Sequence, residues 1–294
     1  MKVLCAIDGS RHSRWALELL PRLCHASDSS LLLVHAVDVR WFRVSKGLGK
    51  QARDAMRHAL ELAELGGRKL LESAKLKVTA EWGRVESKLL RGRPADVIAR
   101  AAARQRSDLI VIGSRGLTEF RPMLLGSVSR ELLMKAPCPV MVVKKRVTAL
   151  NRIIVGADGS RESWDAAEFL RVLPLATMTH VAILTAMSPL PLENGMVPRK
   201  VSAVMEEIRA ALEEEARKLV TRIAGHLRRA GLDASGVVTH GTPALEIIKL
   251  AEAERADLIV VGAHGRRSSS EYLIGSVSNS VVKYAPCSVL VFRR

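Results

Sequence analysis

One glycine skeleton stands twice in this chain. Gly113, Gly116, Gly126 and Ser127 are spaced G-x-x-G, nine residues, then G-S, and Gly262, Gly265, Gly275 and Ser276 repeat that spacing, each shifted by 149 positions. With glycine at about 7% of residues, three glycines and a Ser/Thr at fixed offsets arise by chance in about 1% of such chains. Two copies in the same context leave little room for chance. Each follows an apolar run, DLIVIG (108–113) or DLIVVG (257–262), and each leads into GSVS, so both read as strand, loop and helix start. The chain is a tandem duplication.

The rest of the chain duplicates too. KVLCAI (2–7) and NRIIVGA (151–157) are apolar runs ended by Asp-Gly-Ser, at Asp8 and Asp158. Such runs suit strands buried on both faces of a parallel sheet, and Ser10 and Ser160 are placed to cap helices over 12–25 and 162–173. Second strands follow at Leu31–Val37 and His180–Met187, then long helices over about 49–82 and 198–229. The latter shows an apolar stripe through Val201, Val204, Met205, Ile208, Leu212, Leu219, Ile223 and Leu227; the former is expected to be interrupted at Gly66-Gly67, a place for a kink. Third strands at Val85–Leu90 and Ser235–Thr239 lead into the turns Gly92-Arg93-Pro94-Ala95 and Gly241-Thr242-Pro243-Ala244, where proline suits a helix start. After the Gly loops, last strands at Val140–Lys144 and Val289–Arg293 close each half. The pattern β-α-β-α-β-α-β-α-β predicts an α/β protein of two domains, 1–146 and 151–294, each a doubly wound five-stranded parallel sheet with helices on both faces.

The +16 net charge is unevenly shared, with 28 Lys and Arg against 14 Asp and Glu in residues 1–147, and 18 against 16 in 148–294. The first half is therefore expected to attract anions, whether nucleotides, nucleic acid or an acidic membrane surface, or simply to present a solvated basic face. No apolar run approaches the ~18 residues of a membrane span, and Asp8 cuts the first run too short for a signal peptide, so the expected location is the cytoplasm. Cys5, Cys24, Cys138 and Cys287 form no C-x-x-C or metal-type spacing and read as buried, reduced and structural.

In an open α/β sheet, ligands bind beyond the carboxyl ends of the strands where strand order reverses. If the first and fourth strands are neighbours there, Asp8 and Asp158 each face a Gly loop. Glycines let backbone N–H groups approach an anion, and Ser127, Val128 and Ser129, with Ser276, Val277 and Ser278, open a helix whose N-terminus favours phosphate. The carboxylate then suits a ribose or adenine donor, or a metal-bound water. The same residues also suit plain tight turns and caps. Neither G-x-x-x-x-G-K-[ST] nor G-x-G-x-x-G is present.

IDGS and ADGS after the first strands, the Gly-x-Pro-Ala turns, DLIVIGSRG…LLGSVS, DLIVVGAHG…LIGSVS, APCPVMVV and APCSVLVF together resemble the universal stress protein family over essentially the whole chain. The resemblance implies strand order 3-2-1-4-5 and, in the nucleotide-binding branch, an adenylate site on the Gly pattern in each half: ATP, ADP or AMP, with or without Mg. Carried over by position, adenosine contacts fall on Asp8 and near Ala36, and on Asp158 and near Ala186. Phosphate contacts fall on Gly113, Gly116, Gly126, Ser127 and Ser129, and on Gly262, Gly265, Gly275, Ser276 and Ser278. The residue before the second glycine differs, Arg115 against His264, which predicts unequal sites because guanidinium pairs strongly with phosphate. Segments 41–46 and 188–195 would flank the base. The resemblance further implies pairing of the two last strands within the chain as an internal pseudo-dimer, with homodimerisation as an addition.

No Ser-His-Asp set, zinc pattern or H-E-x-x-H is present, and Asp8 and Asp158 are the acidic residues tied to the motif. The leading expectation is a nucleotide-dependent stress-response regulator acting on an unidentified protein partner. Slow ATP hydrolysis or self-phosphorylation is the alternative. A nucleic-acid or membrane-surface module is third, disfavoured because aromatics are 3% of residues and leave little for base stacking.

Overall fold

A computed structural model describes residues 1–23, 29–42, 49–79, 82, 84–117, 125–188, 199–265 and 274–293. The chain divides into two compact units, Met1–Thr148 with Arg293, and Ala149–Phe292.

In the first unit, β1 (Lys2–Ala6), β2 (Ser30–Val37), β3 (Arg84–Arg91), β4 (Leu109–Gly113) and β5 (Val140–Val143) form a parallel sheet in the order β3-β2-β1-β4-β5. Between them run α1 (Arg11–Leu19), α2 (Lys50–Thr79), α3 (Pro94–Gln105) and α4 (Ser127–Lys135). The second unit repeats this with β6 (Arg152–Gly156), β7 (His180–Met187), β8 (Asp233–His240), β9 (Leu258–Gly262) and β10 (Ser288–Phe292), in the order β8-β7-β6-β9-β10. Its helices are α5 (Arg161–Phe169), α6 (Arg199–Arg229), α7 (Pro243–Ala253) and α8 (Ser276–Tyr284). Helices cover both faces of the parallel sheet, and the central strands are correspondingly apolar on both: Val3, Leu4, Cys5, Ile110, Val111, Ile153, Ile154, Ile259 and Val260 are fully buried.

Four local expectations are corrected. The helices expected over 12–25 and 162–173 end at Leu19 and Phe169 and tighten into 3-10 turns at Leu20–Arg22 and Leu170–Val172. Pro21 is not the cause, because the second turn lacks a proline; both turns instead sink a leucine, Leu20 or Leu170, wholly into the core. The Gly66-Gly67 pair does not interrupt α2. A Cβ at Gly67 would lie 2.5 Å from His35 Cδ2 and 2.7 Å from Leu89 Cδ1, so glycine there makes room for a large strand side chain. In the second unit the strand residue is the smaller Thr185, and the helix carries buried Ala216 instead.

The apolar stripe of α6 is buried only in part. Val220, Ile223, Ala224 and Leu227 are in the core, but Val204, Ile208 and Leu212 are exposed. A helix of 31 residues is ~46 Å long at 1.5 Å per residue, while the eight-residue strands beneath it span ~26 Å. The sheet cannot cover its amino-terminal half.

Cys5, Cys138 and Cys287 are buried, and burial pushes the Cys5 and Cys138 thiols up to about 12. Neither is a nucleophile at neutral pH. Cys24 lies outside the described residues.

Candidate functional site

Strand order reverses between β1 and β4 and between β6 and β9, and there the chain builds the same turn twice. Gly9 (φ +83°) and Gly159 (φ +80°) lie in the left-handed region that other residues resist. They swing the chain so that Asp8 Oδ1 accepts from the Ser10 N–H at 2.9 Å, and Asp158 Oδ1 from the Ser160 N–H at 2.9 Å. The expected caps are present: Ser10 Oγ and Ser160 Oγ accept from the N–H groups of Ser13 and Ser163, each at 3.2 Å.

With Oδ1 held in the turn, the other carboxylate oxygen faces the Gly loop. A Cβ at Gly116 would stand 2.9 Å from Asp8 Oδ2, and one at Gly265 2.7 Å from Asp158 Oδ2. The second glycine of each skeleton thus makes room for the carboxylate, and Asp and loop share one crevice.

The first glycine does something else. A Cβ at Gly113 would lie 2.7 Å from the His12 carbonyl carbon, 2.8 Å from His12 Cβ and 2.8 Å from Ser13 N. At Gly262 the nearest atoms are Glu162 Cβ at 3.0 Å and Glu162 C at 3.3 Å. The space a side chain would take at these glycines is filled by the first turn of α1 or α5. The third glycine closes the loop, Gly126 N–H donating to Ser114 O at 2.8 Å and Gly275 N–H to Ala263 O at 2.7 Å.

Ser129 and Ser278, expected among the phosphate contacts, are buried, and their hydroxyls donate to Gly113 O (2.8 Å) and Gly262 O (2.5 Å). They tie α4 and α8 to the strand ends. What the helix start offers an anion is its first-turn backbone at Ser127, Val128 and Ser129, and at Ser276, Val277 and Ser278, where an α-helix leaves N–H groups without intrahelical partners and its dipole is positive. Ser127 and Ser276 are exposed there.

Ala36 and Ala186 are half-buried at the carboxyl ends of β2 and β7, beside the strands that carry Asp8 and Asp158. Neighbouring His35 Nδ1–H donates to Ile7 O at 2.8 Å, and Thr185 does the same to Ala157 O at 2.8 Å. His35 is therefore a strand tie. Residues 43–46 and 189–195, expected to flank the base, lie outside the described residues.

Two residues here escaped sequence reasoning: His12 and its counterpart Glu162, each four positions after the Asp. His12 is buried, its ring 4.9 Å from that of Trp15 in edge-to-face contact, and its Nε2 has no hydrogen-bond partner among the described residues. Desolvation, then Arg115 and Arg11, lower its pKa below 6.5, against Asp8, which raises it. The unfolded chain then binds a proton that the folded one refuses, so the stability contributed by neutral His12 is complete above about pH 6.5 and falls as pH drops through that value toward the folded pKa. His12→Phe keeps a ring and cannot titrate; its urea midpoint is expected to fall less between pH 7 and 5 than that of the unsubstituted protein. Equal falls would show that His12 carries none of the acid sensitivity.

A cavity of about 350 Å³ lies elsewhere in the first unit, by the amino ends of β1 and β2, with Lys2, Arg84, Glu86, Lys88, Arg104 and Gln105 in its lining. Where Arg84, Glu86 and Lys88 stand, the second unit has Asp233, Ser235 and Val237. Part of the charge difference between the halves therefore collects away from the Gly loops.

Each unit is thus a doubly wound α/β domain of order 3-2-1-4-5 with a carboxylate and a helix N-terminus at its switch point. That class has a family: the chain belongs to the universal stress protein family, whose model matches residues 1–144 and again 149–293. A universal stress protein of Thermus aquaticus is 35% identical over 145 residues, 48% of this chain and 97% of its own. One of Mycobacterium tuberculosis is 30% identical over 217 residues, 71% of this chain and 69% of its own. Among solved structures, a universal stress protein from Archaeoglobus fulgidus matches with TM-score 0.65 and 23% identity over 100% of this chain and 98% of that one, a likeness of fold. No described helix is long and apolar enough to cross a membrane.

Proposed function

We propose that the chain is an adenylate-binding stress-response regulator, holding ATP, ADP or AMP at the switch point of its units. The observation that carries this reading is that Asp8 Oδ2 and Asp158 Oδ2 stand against the space a Cβ would take on the second glycine of each loop. It sets a hydrogen-bond acceptor for a ribose or adenine donor beside a helix N-terminus suited to phosphate. Among the described residues no group of three His, Cys, Asp or Glu gathers as a metal site. A magnesium ion would accordingly ride on the phosphates, as this ion commonly does with one or two carboxylates at most. The regulator reading is favoured over hydrolysis because Asp8, the acidic group that faces the first crevice among the described residues, already spends an oxygen on the Ser10 N–H, which leaves little for positioning water.

Denaturing the purified full chain and identifying the released small molecules by mass is expected to yield an adenine nucleotide. Release of none, together with no heat on titration of ATP into the protein, would remove the reading.

A further inference from the structure

The two Gly loops are fastened to the first helix of their unit by different chemistry. In the first unit the Ser10 hydroxyl donates to the Arg115 carbonyl at 3.2 Å. In the second, Glu162 makes the contact: Oε2 accepts from the His264 backbone N–H at 2.6 Å, and Oε1 meets His264 Nδ1 at 3.1 Å. Both side chains are largely buried, 16% and 23% exposed. His264 lies between Gly262 and Gly265, so its N–H belongs to the loop that would serve an anion. The His264 Nε2 is buried without a hydrogen-bond partner among the described residues, so the carboxylate is what holds the ring.

We infer that Glu162 is an internal anion occupying the Gly loop of the second unit, so that the adenylate polyphosphate is taken by the first unit and the second favours the nucleoside end alone. This rests on the adenylate reading above. For phosphate to reach the His264 N–H, one charge-assisted bond to an anion must be exchanged for another, so little is gained. The displaced carboxylate would then remain beside a like charge in a site of low dielectric. Among the described residues the first unit has no carboxylate in that place: His12 stands at the Glu162 position and Arg115 at that of His264, so a ring whose burial disfavours its charged form and a guanidinium replace the carboxylate–histidine pair.

Equilibrium dialysis of ATP against the nucleotide-stripped full chain tests this. The unsubstituted protein is expected to bind one tight equivalent, lost on Asp8→Asn. Glu162→Gln, which keeps an acceptor for the His264 N–H without the charge, and Glu162→His, which copies the first unit, are each expected to tighten a second equivalent at least tenfold. As a measurement independent of how those variants fold, the Asp8→Asn protein is expected to bind adenosine at least as tightly as ATP through its second unit. Two equal ATP sites in the unsubstituted chain, a second equivalent unmoved in folded Glu162 variants, or a tenfold preference for ATP over adenosine in Asp8→Asn would each overturn the inference. Absence of any binding in the unsubstituted chain would instead overturn the adenylate reading.

Discussion

Gly113→Ala is expected to destabilise the first unit by about 1–3 kcal/mol, the usual cost of forcing an extra carbon into a packed interior. The new Cβ would meet the His12 carbonyl carbon at 2.7 Å and Ser13 N at 2.8 Å. Both are backbone atoms of a turn pinned by the Ser10 cap, so neither can rotate aside. Gly262→Ala provides an internal control of the same topology. There the nearest atom is a side-chain Cβ at 3.0 Å and the backbone begins at 3.3 Å, so its cost is expected to be smaller. Gly116→Ala should cost least, because Asp8 Oδ2 is the end of a side chain that can turn away. Urea unfolding followed by tryptophan fluorescence ranks the three, since Trp15 sits against His12 in the first unit and Trp164 lies in the second. A Gly113→Ala protein as stable as its parent would show that α1 can retreat from β4.

The second large effect is on binding. Asp8→Asn is expected to weaken adenylate binding in the first unit by about 10- to 150-fold, corresponding to the ~1.5–3 kcal/mol of a hydrogen bond to a charged group. The substitution is chosen because asparagine still accepts from the Ser10 N–H, so the turn at Gly9 and the cap of α1 survive. Only the charge beside Gly116 is lost. Calorimetric titration of ATP checks the affinity, and an unchanged thermal midpoint confirms the fold. If affinity were unchanged while the fold held, Asp8 would be a turn-maker only.

Much of the architecture was legible from local signals. The duplicated Gly skeleton, the Asp-Gly-Ser turns and the apolar runs give the ten strands and their pairing into two equivalent units, because continuous apolarity and turn chemistry act within a few residues of chain. Ser10 and Ser160 were readable as caps for the same reason. The helix ends at Leu19 and Phe169 were less legible, since burial of Leu20 and Leu170 tightens the following turn whether or not a proline is present.

The division of labour among the motif residues was not legible. One pattern of glycines serves three purposes: helix packing at Gly113, room for a carboxylate at Gly116, and loop closure at Gly126. Ser129 and Ser278 look in the sequence like the serines beside them, yet their hydroxyls belong to the carbonyls of Gly113 and Gly262. The exposed half of α6 and the fit of Gly67 over His35 likewise depend on how far the sheet extends beneath a helix.

By itself, then, the sequence determined a duplicated parallel α/β chain and the two stretches of each half that meet at its switch point. Spacing, apolar period and turn-forming residues operate locally and are written in order. Only the tertiary structure decided which atoms of those stretches face each other. The pairing of Glu162 with His264, 102 positions apart, follows from β6 lying beside β9. Whether a side chain faces a crevice or a neighbouring backbone depends on three-dimensional neighbours that no run of adjacent residues can specify.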